Sequence, residues 1–133
     1  SFQPVEEDTS VYLLDTSDLK GRSVRSVEVF GEKTSVTTWA ETLDAIAEAI
    51  YNRNPDFIER VTNDEYLSQR IRQDASAFSN NAEILETGYF IDTGNNTNTK
   101  LRIIATLGKE FNLTTDDIKA ELTTVNDTDE DEV

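Results

Sequence analysis

Residues 24–50, which read VRSVEVFGEKTSVTTWAETLDAIAEAI, decide the fold of this chain. The stretch opens with a run of β-branched and aromatic residues that is typical of a strand, namely Val24, Val27, Val29 and Phe30. Gly31-Glu32 can then supply a turn, because glycine accepts a positive φ, and residues 35–37 can return as the partner strand. The first half of the stretch therefore predicts a β-hairpin.

The second half predicts an amphipathic helix that begins after Thr38. Thr38 and Glu41 have the spacing of a capping box, in which the side chain of each residue accepts from the backbone N–H of the other. Apolar residues then recur along one helix face, at Trp39, Leu43, Ile46, Ala47 and Ile50. We expect this face to build the core. Trp39 is interpreted as a core anchor, with a role as a stacking platform as the alternative.

Two shorter helices are predicted next. Asn54-Pro55 ends the first helix and starts the second, because the residue before a proline avoids helical geometry whereas proline suits the first helical position. Residues 62–64 are cap formers, so they predict a third helix that continues to Gln73. The polar stretch at residues 74–83 predicts a loop.

The C-terminal third predicts two more helices. The longer one covers residues 97–111, and its expected core face consists of Leu101, Ile104, Ala105, Gly108 and Phe111. Thr114 and Asp117 repeat the capping-box spacing, which predicts a short last helix through Leu122.

Two more stretches have the composition of strands. Residues 84–92 (ILETGYFID) predict a third main strand, and residues 11–14 predict an edge strand added to the hairpin. The predicted fold class is therefore α+β, a small antiparallel sheet of the hairpin plus one or two strands, packed against about four to five helices. Residues 1–18 are predicted to be an acidic N-terminal segment, residues 19–123 a single domain, and residues 124–133 an acidic disordered tail.

The acidic residues are concentrated at the two ends of the chain. The 133 residues contain 27 Asp and Glu and 12 Lys and Arg, for a net charge of −15. Residues 1–18 contribute −5 and residues 116–133 contribute −7, which leaves −3 for residues 19–115. A protein that mimics DNA needs carboxylates fixed on rigid elements, so this distribution favours a protein-interaction module over a mimic.

Composition excludes several kinds of chemistry. The chain has no Cys and no His, which rules out disulfides, thiolate nucleophiles, Ser-His-Asp catalysis and zinc sites built from these residues. No carboxylate lies in an apolar run that would separate the pKa values of a catalytic pair, and the acidic tail lacks the glycine of a calcium loop. We therefore expect a protein that is not an enzyme, with no cofactor and no dedicated metal site. The absence of a long apolar run or a signal-peptide pattern predicts a cytoplasmic location away from membranes.

The turn before the long helix is one candidate binding site. It consists of Asn95, Asn96, Thr97 and Asn98. Backbone amides at a helix N-terminus favour an anionic ligand, and these side chains add further donors and acceptors. The alternative is that they simply cap the helix.

Arg102 and Lys109 form the second candidate. They are seven residues apart and so lie on one side of the long helix, while Lys100 flanks the other side. Such a row could contact phosphates, or its aliphatic stems could cover the edge of the core. The net charge disfavours nucleic acid as the partner.

The order of several short motifs resembles a small domain appended to prokaryotic restriction- and nuclease-associated proteins. The motifs are Val29-Phe30-Gly31, Val36-Thr37-Thr38-Trp39, the Asn-Pro-x-Phe junction at residues 54–57, and a Tyr-containing strand that leads through Thr93 and Asn96 into a helix with Thr97 and Thr99. The resemblance covers residues 19–122. It implies a non-catalytic accessory module in a DNA-defence or mobile-element setting. The acidity of this chain, however, argues against direct contact with DNA.

The leading hypothesis is a non-enzymatic recognition or protein-interaction module. One alternative is an acidic nucleic-acid mimic that occupies a DNA-binding partner. Another is a protein of a high-salt cytoplasm, in which acidity is only a solubility adaptation.

Overall fold

The structure, a computed structural model, describes residues 9–123 and divides them between helices and two antiparallel sheets. The strands are β1 (Thr9–Tyr12), β2 (Val24–Val29), β3 (Glu32–Ser35), β4 (Ile71–Arg72), β5 (Asn81–Glu83), β6 (Phe90–Asp92) and β7 (Ile118–Leu122). The helices are α1 (Trp39–Arg53), α2 (Phe57–Asn63), α3 (Leu67–Arg70) and α4 (Thr97–Glu110). The predicted α+β class is confirmed. The strands form two sheets, however, ordered β1-β7-β2-β3 and β4-β6-β5.

The predicted hairpin is present, but its turn lies one residue earlier. Phe30 and Gly31 both have positive φ, 54° and 85°, which is the requirement of a two-residue turn with the twist of the flanking strands. Val29 therefore faces Glu32, and the return strand is β3 rather than residues 35–37. The guanidinium of Arg53 lies 4.0 Å from the centre of the Phe30 ring, a cation–π contact that links this turn to α1.

Helix α1 matches its prediction closely. All five residues of the apolar face are buried, and the Thr38 hydroxyl accepts from the Glu41 N–H at 3.0 Å. The reciprocal half of the capping box is displaced, because the Glu41 carboxylate accepts from the N–H of Thr37 at 2.8 Å instead of from Thr38. Trp39 belongs to the core, and its indole N–H donates to the carbonyl of Arg22 at 2.9 Å.

The predicted last helix is wrong, because residues 118–122 form a strand. The capping box of Thr114 and Asp117 exists, but it closes only a single 3₁₀ turn. Buried residues then alternate with half-buried ones at Ile118, Ala120 and Leu122, which is the period of a strand. The resulting β7 lies in the middle of the larger sheet, between β1 and β2. Tertiary pairing on both edges overrides the local helical signal.

The N-terminal residues of the described range belong to this sheet. An edge strand is present, but β1 covers residues 9–12 rather than the predicted 11–14, because Leu13 and Leu14 begin a 3₁₀ turn, and it pairs with β7 and not with the hairpin. The next residue, Leu13, is fully buried. The predicted domain boundary after residue 18 therefore separates segments that pack together. Residues 1–8 and the tail at 124–133, including its predicted disorder, lie outside the described residues.

The smaller sheet departs most from the predictions. Residues 84–92 contribute only β6, since residues 84–89 turn through Leu85 and Gly88, which have φ of 50° and 77°. Its partners β5 and β4 come from the predicted loop and from the predicted end of the third helix. That helix ends at Arg70, three residues before Gln73, although its predicted cap is present because Asp64 accepts from the N–H of Leu67 at 2.8 Å.

Helix α4 confirms the predicted long helix. Its buried face includes Ile103 and Leu107, whereas Ala105, which was expected in the core, is exposed. The helix ends at Glu110, and the positive φ of 57° at Asn112 allows the N–H of Leu113 to reach back to the carbonyl of Gly108 at 2.8 Å. This C-terminal cap directs the chain from α4 into β7.

Candidate functional site

The main candidate site is an open groove of about 910 Å³ between α3 and α4, here called the α4 groove. One wall consists of Asp64, Glu65, Tyr66, Gln69 and Arg70, and the other of Arg102, Thr106, Lys109 and Glu110. Both walls contain acids and bases. The groove therefore presents hydrogen-bond donors and acceptors side by side, with one aromatic ring among them.

Two arginines lie against the ring of Tyr66. The guanidinium carbon of Arg102 is 4.4 Å from the ring centre, and that of Arg70 is 5.4 Å from it. A cation over an aromatic face is attracted by the ring quadrupole, and the contact also restricts the side-chain rotamers. Arg102 is thus positioned before any ligand arrives, and its remaining N–H groups can donate into the groove.

Arg102 and Lys109 differ from Arg60 and Arg70, the other cations close to the groove. Arg70 pairs with Asp92 at 2.8 Å, and Arg60 pairs with Glu110 at 3.1 Å. Among the ion pairs found within residues 9–123, none involves Arg102 or Lys109. Both side chains are exposed. Their positive charges are therefore available to an incoming group.

A buried charge cluster fixes the wall that carries Arg70. Asp92 is 7% exposed, and it accepts from the N–H of Gly94 as well as from Arg70. Lys100 is 5% exposed and donates to the carbonyl of Asn95. Burial lowers the pKa of Lys100, and the nearby charge of Asp92 opposes that change. The cluster connects β6 to α4. Lys100 was predicted to flank the helix as a surface cation, but it is buried and stabilises the fold instead.

The turn of residues 95–98 is tied into the fold by its own side chains. Asn96 caps α4 by accepting from the N–H of Thr99 at 2.7 Å, as the capping alternative predicts. Asn98 bridges to the N-terminal region, accepting from the N–H of Leu19 and donating to Asp18, both at 3.0 Å. Asn95 donates to the carbonyl of Asp92 at 3.1 Å. Thr97 joins these asparagines and Lys20 around a hollow of about 400 Å³.

The structure brings only some of the predicted site residues together. Arg102 and Lys109 share the α4 groove, as their spacing predicts, whereas Asn95, Asn96 and Thr97 line the separate hollow at the start of the helix. A third hollow of about 490 Å³ lies on the other side of α4, between residues 14–17 and the helix. It contains both Asn98 and Arg102, so Arg102 stands between two hollows.

Sequence reasoning missed Tyr66 and Arg70 as parts of the site. The sequence pattern places Tyr66 on the apolar side of a short helix, and Arg70 carries no signal of its own. Both lie more than 30 positions before Arg102 in the chain, so only the packing of α3 on α4 reveals their proximity.

A second acidic feature lies on α1, away from the predicted site residues. Asp44 and Glu48 are one helical turn apart and both are half-buried. Burial, and then the charge and hydrogen bond of Glu48, raise the pKa of Asp44 to about 6. The pair makes the stability of the domain depend on pH.

Within residues 9–123, no group of three or more Asp, Glu, His or Cys side chains could hold a metal ion. No helix in the same range is long and apolar enough to cross a membrane.

Comparisons of the chain with protein-family models, curated proteins and solved structures found no match. The resemblance to domains of restriction- and nuclease-associated proteins therefore stays a prediction.

Proposed function

We propose that this domain is a non-enzymatic recognition module that binds a protein partner through the exposed side of α4. The surface consists of Arg102, Ala105 and Lys109, with the α4 groove on one side and the 490 Å³ hollow on the other. One observation carries the proposal. In a chain of net charge −15, these two exposed cations have no carboxylate partner within the described residues.

The spacing of this surface suits an extended segment of a partner. Arg102 and Lys109 are two helical turns apart, roughly 10 Å along the axis. Ala105 between them has a small side chain, which lets a partner backbone approach the helix. Arg102 is held on Tyr66, so little rotamer entropy is lost when it donates to a carboxylate or a carbonyl of the partner.

The resemblance described above supports an accessory role in a DNA-defence system as the setting of this interaction. The DNA-mimic alternative has weaker support, because the middle of the chain carries a charge of only −3. Fixed carboxylates at phosphate-like spacing are what such a mimic requires.

The test is affinity capture from a lysate of the source organism with the full chain as bait. The bait is compared with the double variant Arg102→Ala/Lys109→Ala. A matched control, Arg72→Ala/Lys119→Ala, removes the same charge at positions outside the groove. A protein retained by the wild type and the control but lost with the double variant is the expected result.

Two results would contradict the proposal. The first is a set of captured proteins that is the same for all three baits. The second is nuclease-sensitive capture of nucleic acid through Arg102 and Lys109, which would assign this side of α4 to phosphate contacts.

A further inference from the structure

The sequence after the described residues is complementary in charge to the exposed side of α4. Residues 127–132 read DTDEDE and carry five carboxylates in six positions. Arg102 and Lys109 are the two exposed groove cations without an ion-pair partner in residues 9–123. Of the acids in the groove, Asp64 already caps α3 and Glu110 is paired with Arg60, which leaves the single carboxylate of Glu65 to compete with a segment of five carboxylates for these cations.

The last described residue lies close, through a short series of contacts, to the helix that carries Arg102. The N–H of Thr123 donates to the carbonyl of Ser23 at 2.9 Å, and residues 19–22 form a tight turn closed by the N–H of Arg22 and the carbonyl of Leu19. Leu19 in turn donates to Asn98 on α4. Arg102 is one helical turn beyond Asn98, roughly 6 Å along the axis.

The length of the acidic segment is sufficient for it to reach this helix. A tight turn brings its ends within roughly 7 Å of each other, so the steps from Thr123 to Arg102 are all short. Glu132 is nine positions after Thr123, and an extended chain of that length spans roughly 30 Å. The carboxylates near the end of this segment can therefore meet Arg102 without any change in residues 9–123.

We propose that residues 127–132 bind the Arg102 and Lys109 side of α4 within the same molecule. Tethering favours this occupant, because a segment joined by a short linker has an effective concentration of about the millimolar range. An acidic segment of a second molecule has no such advantage and must approach against the repulsion of two chains of charge −15. The segment then covers the surface assigned above to a partner, and a partner has to displace it.

The absence of cysteine allows a direct test on the full chain. A nitroxide spin label is attached at Val133→Cys, and paramagnetic broadening of backbone amide signals is measured by NMR at about 0.05 M and about 1 M salt. The expected result at low salt is selective broadening of the amides of Arg102, Thr106 and Lys109. This broadening should be lost at high salt, and also in Arg102→Glu/Lys109→Glu. It should persist in the control Arg72→Glu/Lys119→Glu.

Uniform broadening, or broadening that both double variants share, would overturn the inference. A mixture of spin-labelled chain and isotope-labelled chain without the spin label separates the two sources of contact. Broadening of the same amides in this mixture would assign the contact to a second copy, because the observed chain carries no spin label, and would also overturn the inference. The measurement needs no partner, so its failure would leave the proposed recognition function standing.

Discussion

Replacement of Asp44 by Asn should stabilise the domain, and the gain should depend on pH. The carboxyl of Asp44 is half-buried beside Glu48, and its pKa is raised from 3.8 to about 6. The folded state therefore keeps a proton that the unfolded state has already released between these two values. The free energy of unfolding decreases as the pH rises through this window. The folded domain must then either carry a buried negative charge or keep a proton that the unfolded chain has released, and both are unfavourable. Asparagine has a similar shape and no charge.

The size of the effect can be worked out from the pKa shift. Two pKa units correspond to about 3 kcal/mol, and solvent screening of a half-buried group reduces this to about 1–2 kcal/mol. Asp44→Asn should therefore raise the free energy of unfolding by about 1–2 kcal/mol at pH 8 and by close to nothing at pH 4. At the midpoint of thermal unfolding, each kcal/mol corresponds to an increase of about 3–6 °C for a domain of this size.

Urea unfolding at a series of pH values measures this gain, with Trp39 as the reporter because it is the only Trp and is buried. The quantity to follow with pH is the difference in the free energy of unfolding between the variant and the wild type. Asp18, Asp74 and Glu121 have lowered pKa values, and their contributions to stability disappear in both proteins as the pH falls. The control is Glu86→Gln, which removes an exposed carboxylate. A gain that is equal at pH 4 and pH 8, or no gain at either, would refute the reasoning.

Three other predictions concern the packing of the core and the response to salt. Trp39→Ala should cost about 3–5 kcal/mol by chemical denaturation, because the indole is buried and bonded to the backbone; a change below about 1 kcal/mol would place it outside the core. Gly108→Ala should change the free energy of unfolding by less than about 1 kcal/mol, since the methyl carbon of Leu14 that would lie 2.5 Å from the new Cβ ends a half-buried side chain that can rotate away, and alanine favours the helix; a loss above about 2 kcal/mol by the same assay would show that Leu14 is fixed. If the acidity is an adaptation to high salt, the melting temperature should rise markedly between dilute buffer and molar KCl, whereas a flat response would remove that explanation.

The elements that could be predicted from the sequence are those with a capping residue and a periodic apolar pattern that extends over several helical turns. α1 and α4 have apolar faces of several turns and side-chain caps, and both formed where expected. The strands of the smaller sheet are two or three residues long, too short for a period to show. A helix was expected in place of β7 because the capping box at Thr114 is a genuine local signal. Residues 118–122 become a strand after that cap only because β1 and β2 pair with them on both sides.

The candidate site likewise contains residues that the sequence could place together and residues that only the packing of the helices brings into contact. The spacing of Arg102 and Lys109 was sufficient to place them on one side of one helix. Tyr66 and Arg70 come from another part of the chain, and their contact with Arg102 depends on how α3 packs against α4. Turn residues such as Asn96 and Asn98 have the same composition whether they bind a ligand or hold the fold together. Only their bonds to Thr99 and Leu19 separate the two interpretations.

The central position of β7 has a consequence for how the chain folds during synthesis. β1 and β2 are made early, yet the strand that joins them is among the last described residues, so Thr9 pairs with Leu122. Pairings between such distant residues raise the contact order, which slows folding. Until residue 122 has left the ribosome, one edge of β2 remains open to pairing with another nascent chain. A chain cut short before residue 118 would therefore contain the residues of the hairpin and of helix α4 but could not complete its larger sheet.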